Sequence, residues 1–205
     1  MQQTITTRDG QRLTLRTVSA DDAGLLQSFF AGLSAASRRC RFHGAVNGIS
    51  AAHAQRLSQL DAQREMAFVV TTLSNAEVVA EARYSTTWQG RAEFAIAVGD
   101  GWTGQGLARK LMALLIAKAR SAGLRTLYGD VLADNTRMLD LMQASGFALR
   151  RHPHHDALMR AEFDLCTVPE NRGGWWAALA FLLPARGAFF QAAWAGVSST
   201  SSAWR

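Results

Sequence analysis

The chain has 205 residues, 48% apolar and 19% charged, which fits one globular domain with a sizeable core and excludes a wholly disordered chain. Its formal net charge of +6 rests almost entirely on arginine, since only Lys110 and Lys118 are lysines. The arginines are scattered and form no basic run interleaved with stacking aromatics, so anionic ligands are favoured in general and no nucleic-acid partner is expected.

Taken in chain order, residues 5–8 and 12–16 flank Asp9-Gly10 and predict a hairpin with its turn at that pair. Ser19 or Asp21 caps a helix that carries Leu25, Leu26, Phe29 and Phe30 on one face. Two more helices are predicted, over residues 34–41 and from Ser50 towards Leu60. Residues 66–70 and 78–80 form a second hairpin through Ser74-Asn75, and 92–98 a further strand. From Gln105 to Ser121 a long helix aligns Leu107, Leu111, Leu114 and Leu115, and Gly123 stands where a left-handed cap would end it. Residues 125–132 read as a strand, Asp134 or Asn135 starts a helix ending before Gly146, and short strands follow at 147–150 and 158–165. Helices set between strands argue an α/β or α+β fold around a central sheet.

Composition changes abruptly after this point, so the chain divides into a domain over 1–166 and an apolar extension over 167–205. Residues 175–197 are mostly apolar, yet Pro184, Arg186, Gly187 and Gln191 interrupt the ~20-residue apolar run that a membrane span requires. A docked amphipathic helix, a membrane or partner contact, and a loosely ordered tail all fit the segment. Cys40 and Cys166 stand far apart in no metal or redox spacing, which predicts reduced, partly buried thiols and no metal. With a polar start at Met1-Gln2-Gln3-Thr4 that shows no secretory signal, the expected location is cytoplasmic.

The stretch from Val98 to Ala108 carries the chemistry. A strand ends, Gly99, Gly101, Gly104 and Gly106 crowd the turn, and an apolar-striped helix begins at once. Such a junction aims several backbone N–H groups and the positive end of a helix dipole into one small space, which suits a diphosphate. Arg109 and Lys110 add charge for phosphate groups. The pattern is neither a Walker loop nor a Rossmann fingerprint. A tight turn that uses glycine for geometry alone remains the plain alternative at this point.

Downstream come Asn135-Thr136-Arg137-Met138 and then Gly146-Phe147. Together with Thr103-Gly104-Gln105-Gly106-Leu107-Ala108, they resemble the GNAT acetyltransferases, whose motif reads Gln/Arg-x-x-Gly-x-Gly/Ala and whose next helix opens on Asn. Thr103 stands where Gln or Arg is usual, and its hydroxyl is expected to reach a phosphate. The likeness sharpens towards the GNAT domain of bacterial Pat-type protein lysine acetyltransferases. It does so through Arg41-Phe42, Leu60-Asp61, the run Arg64-Glu65-Met66-Ala67-Phe68-Val69, Ala92-Glu93-Phe94-Ala95, and Asn135 with Met138. It covers roughly residues 10–165 and lacks the acyl-CoA-synthetase-like portion of many Pat proteins.

The resemblance implies a mixed, mostly antiparallel sheet splayed at an acyl-CoA site with flanking helices. It also implies acetyl transfer from acetyl-CoA, without a metal, to a primary amine that is most often a protein lysine. Ala97, Val98, Thr103, Gly104, Gln105, Gly106, Leu107, Ala108, Arg109 and Asn135 are the expected coenzyme contacts, with the acyl carbonyl on backbone N–H near Val98. An ammonium must lose a proton before it can attack a thioester. Strand alternation places Glu93 with Ala95 and Ala97 on one face, and Glu93 is the expected base. Glu81 is the competing carboxylate. Seven residues after Asn135, where many members carry a tyrosine acid, stands Met142, as the Pat-type subgroup allows. The thiolate is then expected to leave towards solvent, with Tyr128 as a substitute acid. A small-molecule amine acceptor and a non-catalytic acyl-CoA-binding module are the competing functions. His152-Pro153-His154-His155-Asp156 lacks ligand spacing and reads as a turn bordering the substrate entrance.

Overall fold

A computed structural model describes residues 2–167, so the apolar segment at 175–197 lies outside the described residues. The chain opens with strands β1 (Gln2–Thr6) and β2 (Arg12–Thr17). A short 3-10 turn at Ala20–Asp22 leads into helices α1 (Ala23–Gly32), α2 (Ala35–Phe42) and α3 (Ala51–Ser58). Strands β3 (Glu65–Thr71), β4 (Val78–Thr86) and β5 (Arg91–Val98) follow, and then α4 (Leu107–Ser121). Strand β6 (Thr126–Leu132), helix α5 (Thr136–Ala144), and strands β7 (Ala148–Arg151) and β8 (Leu158–Asp164) complete the domain.

The eight strands form one sheet in the order β1-β2-β3-β4-β5-β6-β8-β7. Every pairing is antiparallel except β5 with β6. Parallel neighbours need a crossover, and α4 supplies it. Leu26, Phe29 and Phe30 of α1 and Leu57 of α3 pack with Ala67, Val69 and Val78 into one core cluster. Helix α4 lies against β3, β4 and β5, with Leu107, Leu111, Met112, Leu114 and Leu115 buried. This is the mixed α/β architecture expected of the sequence.

Three local readings change. The first turn is centred on Arg8-Asp9, not Asp9-Gly10: Gly10 N–H donates to Thr7 O at 3.2 Å, and Gly10 follows in the left-handed conformation at φ 89°. That is a type I turn closed by a left-handed residue, a common three-residue hairpin loop. Strand β4 runs on to Thr86, well past the expected Ala80, and the Glu81 and Arg83 charges within it pair with each other. Helix α4 begins at Leu107, two residues late, because Gly104 and Gly106 hold φ of 79° and 82°, outside the helical region.

Ser19 is the residue that caps the first turn, in a reciprocal capping box with Asp22. Cys40 and Cys166 are both free, but only Cys40 is partly buried; Cys166 is exposed. Among the described residues, no helix is long and apolar enough to cross a membrane.

Candidate active site

The site begins where two strands part. β5 and β6 pair only from Arg91 with Thr126 to Glu93 with Tyr128. Beyond that, β5 stays with β4 as far as Val98, and β6 stays with β8 as far as Leu132. Phe94 follows the last paired residue, and its ring lies over Gly129, where an added Cβ would come within 2.7 Å. The ring also meets Phe147 edge-on at 5.4 Å. An aromatic side chain set against a glycine thus occupies the point at which the sheet opens.

The opening leaves backbone groups free. Gly99 N–H donates to Val79 O at 2.8 Å, so its polar groups face β4. Because the direction alternates along a strand, the N–H groups of Val98 and Ile96 face away from β4, into the split. At the end of the split, the N–H groups of residues 104–109 find no acceptor among the described residues, whereas Lys110 N–H already bonds Gly106 O at 3.1 Å. Six unsatisfied donors at the start of α4 make a preformed anion cradle.

One cleft of about 860 Å³ joins the split to this cradle. Its walls include Glu93, Ala97, Val98, Thr103, Gly104, Gly106, Leu107, Ala108, Arg109 and Asn135, so these expected site residues are brought together. Gln105 is the exception. Its side-chain Oε1 accepts from Asp9 N–H at 3.2 Å, turning it towards the β1–β2 loop. Thr103 lines the cleft, but its hydroxyl donates to Asp100 O at 3.0 Å, so the proton expected to reach a phosphate is held inside the turn. Lys110 is also redirected, its Nζ donating to Thr6 O at 2.8 Å. Asn135 Oδ1 caps α5 by accepting from Met138 N–H at 3.2 Å, and the residue still faces the cleft.

Helix α2 supplies a wall that the sequence reading left unassigned. Ser37, Cys40 and Arg41 line the cleft. The Asp100 carboxylate fixes the start of this helix, accepting from Ser34 N–H and Ser34 Oγ, both at 2.8 Å, and from Ser37 Oγ at 2.6 Å. The Ser37 and Ser34 donors hold Asp100 below the usual carboxylate range, against the opposing effect of burial. A carboxylate there also complements the N-terminal end of α2. Burial and the Asp134 carboxylate push the Cys40 thiol up, more than Arg39 lowers it, so the sulfur faces the cleft in its neutral form.

The two candidate carboxylates are well separated in environment. Glu93 is exposed on the cleft wall. Glu81 is fully buried, bonded at 2.5 Å to Arg83 Nε and 3.7 Å from Arg41, and does not line the cleft. Burial pushes the Arg41 guanidinium down, with Glu81 acting in the opposite direction, and the rings of Phe30 and Phe42 flank it at 5.4 and 5.1 Å. Glu81 is therefore a structural counter-ion without access to a substrate.

Met142 is buried in the core. Tyr128 lies outside the cleft lining, its ring between the guanidiniums of Arg91 and Arg160, each at 4.9 Å. Neither is placed to protonate a thiolate. His152–Asp156 falls in the β7–β8 loop as expected, and no metal-holding group of His, Cys, Asp and Glu exists among the described residues. His152 Nε2 does reach Asp130 Oδ2 at 3.5 Å, and Asp130 borders the cleft.

Comparison with known proteins agrees with this geometry. Residues 37–147 match the profile of the acetyltransferase (GNAT) family. Acetyltransferase PA5475 of Pseudomonas aeruginosa is 34% identical over 148 residues, spanning 71% of this chain and 80% of that protein. The crystal structure of the GNAT domain of S. lividans PAT superposes with a TM-score of 0.73 at 28% identity, covering 80% of this chain and 96% of that one. YncA of Salmonella typhimurium, a putative acetyltransferase solved with its cofactor acetyl-CoA, shares the fold at a TM-score of 0.60. Its identity is 16%, and coverage is 79% of this chain and 99% of that one.

Proposed function

The chain belongs to the GNAT acetyltransferase family, and from that premise we propose that it transfers acetyl from acetyl-CoA to a primary amine, with a protein lysine as acceptor and Glu93 as base. The observation that carries this reading is the single cleft that has the unsatisfied N–H cradle at one end and the exposed Glu93 carboxylate on its wall. The cradle suits the pyrophosphate. Gly104, Gly106 and the first turn of α4 would hold it, Asn135 and Arg109 would flank it, and Ala97 and Val98 would run beside the pantetheine arm. The same reading takes residues 1–166 as the acetyltransferase domain, residues 167–205 as an apolar extension, and the cytoplasm as its location.

When bound, the coenzyme supplies an activated acetyl group as a thioester. The residues do the rest. Glu93 takes the proton that the acceptor ammonium must lose, directly or through one water, and the freed nitrogen attacks the carbonyl carbon. The Val98 N–H, open towards the split, donates to the oxygen on which charge develops. As the new C–N bond forms, the nitrogen gives up its second proton to solvent, the C–S bond breaks, and the departing thiolate takes a proton from solvent. Direct transfer is favoured over a relay through Cys40, because a thiol held neutral is a poor nucleophile. The lysine acceptor rests on the likeness to Pat-type proteins in the run from Arg64 to Val69.

Thiol release from acetyl-CoA, followed with lysine-containing peptides and with free small amines, tests the reading. Release that depends on a peptide lysine, with a matching mass gain on that peptide, is the expected result. Turnover with small amines alone would replace the lysine acceptor with a metabolite. Coenzyme binding without release for any acceptor would leave a binding module and overturn the enzymatic role.

A further inference from the structure

The cleft has a wall that belongs to no strand or helix around the split: the turn between β1 and β2. Arg8 lines the cleft from this turn, together with Arg109 from α4 and Arg137 from α5. All three guanidiniums are exposed, and none has a hydrogen bond or ion pair among the described residues. Arg8 is not neutralised by the carboxylate beside it. Asp9 is occupied within its own turn, accepting from Thr7 Oγ1 and, at 3.2 Å, from Gln11 Nε2. The Thr7 hydroxyl, aided by the Gln11 donors, holds Asp9 low against the opposing effect of burial. It therefore stays an acceptor and keeps the turn closed.

The turn is also tied down. Asp9 N–H donates to Gln105 Oε1 at 3.2 Å, and Lys110 Nζ donates to Thr6 O at 2.8 Å. One tether comes from the turn that carries the free N–H groups and the other from the residue directly after them. Two residues that appeared to be phosphate ligands are thus used to hold a third, Arg8, at the cleft. The cradle itself accounts for a pyrophosphate, so a cation on the turn tied to that segment is available for a further anion of the same ligand. In acetyl-CoA that is the 3′-phosphate of the nucleotide.

We propose that the β1–β2 turn is part of the coenzyme site and that Arg8 binds the 3′-phosphate, with Gln105 positioning the turn. This inference rests on the reading of the cleft as an acetyl-CoA site. A guanidinium paired with a phosphate dianion forms charge-assisted, often bidentate bonds, so its loss is expected to weaken binding about tenfold.

The experiment is calorimetric titration of coenzyme A and of 3′-dephospho-coenzyme A into wild type, Arg8→Gln and Gln105→Ala. Wild type is expected to bind coenzyme A about tenfold more tightly than the dephospho form, as one charge-assisted contact implies. Arg8→Gln is expected to erase that preference while leaving the dephospho affinity unchanged, and Gln105→Ala to reduce it in part. An unchanged melting temperature for Arg8→Gln, an exposed side chain, shows that the fold is intact. Unaltered coenzyme A affinity in Arg8→Gln overturns the inference, as does equal weakening of both ligands, which would place Arg8 on the pyrophosphate. If wild type binds neither ligand, the coenzyme reading of the cleft itself fails, a separate and recognisable result.

Discussion

Gly129 has no side chain where Phe94 needs the space. A Cβ there would lie 2.7 Å from one ring carbon and 2.8 Å from another, and a ring pinned against Phe147 has little freedom to move aside. Overpacking of this kind costs ~1–3 kcal/mol. Gly129→Ala is accordingly expected to lower the unfolding free energy by that amount, seen as a lower urea midpoint, and to weaken coenzyme binding, because the ring sets how β5 and β6 part. An unchanged midpoint and affinity would show that the ring plays no such part. The sequence shows a glycine inside a strand, which signals a close approach. It does not say which side chain approaches, since Phe94 is thirty-five residues away and the pairing that brings them together is long-range. Glu93 and Glu81 make the same point. Both stand on neighbouring strands as acids among small residues, and only the packing of Arg41 and Arg83 shows that one is buried and paired while the other is open.

At the scale of elements, two carboxylates join helices to the sheet. Asp100 holds α2 to the turn before α4, and Asp22 holds the start of α1 to β2 through two 2.7 Å bonds from Arg16. Burial pushes the Asp22 carboxyl up, but the Arg16 bonds, the Ser19 N–H and the Arg16 charge outweigh it and hold the group below the usual carboxylate range. An acid held low in the folded state stays ionised there while the unfolded chain takes up protons near pH ~3.9. Its contribution is therefore complete above that pH and is lost as the pH falls towards the folded value. Asp22→Asn is expected to cost about 3 kcal/mol at neutral pH, since it leaves a partly buried guanidinium without its counter-charge. Urea denaturation below pH ~4 should also show a shallower acid loss in the variant than in wild type. Equal acid slopes would mean that Asp22 is not the titrating link. Helix existence and order were legible from caps and apolar spacing, as with Ser34, Ser50 and Asn135. The precise start of α4 was not, because the left-handed backbone at Gly104 and Gly106 depends on the turn as a whole.

Across the whole domain, the site is assembled from parts distant in the chain: the β1–β2 turn, α2, the C-terminal half of β5, the start of α4, the end of β6 and the start of α5. The glycine-rich turn and Asn135 could be found locally, because each carries its own backbone signature. The walls from α2 and the Arg8 turn could not, because what places them is tertiary: Asp100 on Ser34, Arg39 on Asp134 at 3.0 Å, and Asp9 on Gln105. The net charge of +6 acquires a location in the same way, with Arg8, Arg109 and Arg137 around one cleft mouth. The central claim is that this cleft holds acetyl-CoA while Glu93 deprotonates the acceptor. Its most direct test is thiol release by Glu93→Gln beside wild type, with the coenzyme dissociation constant measured on the same preparations. Loss of a general base without loss of binding gives a fall of about 10²-fold or more in kcat/KM at unchanged coenzyme affinity, and that is the expected result. A Glu93→Gln enzyme as fast as wild type would contradict it.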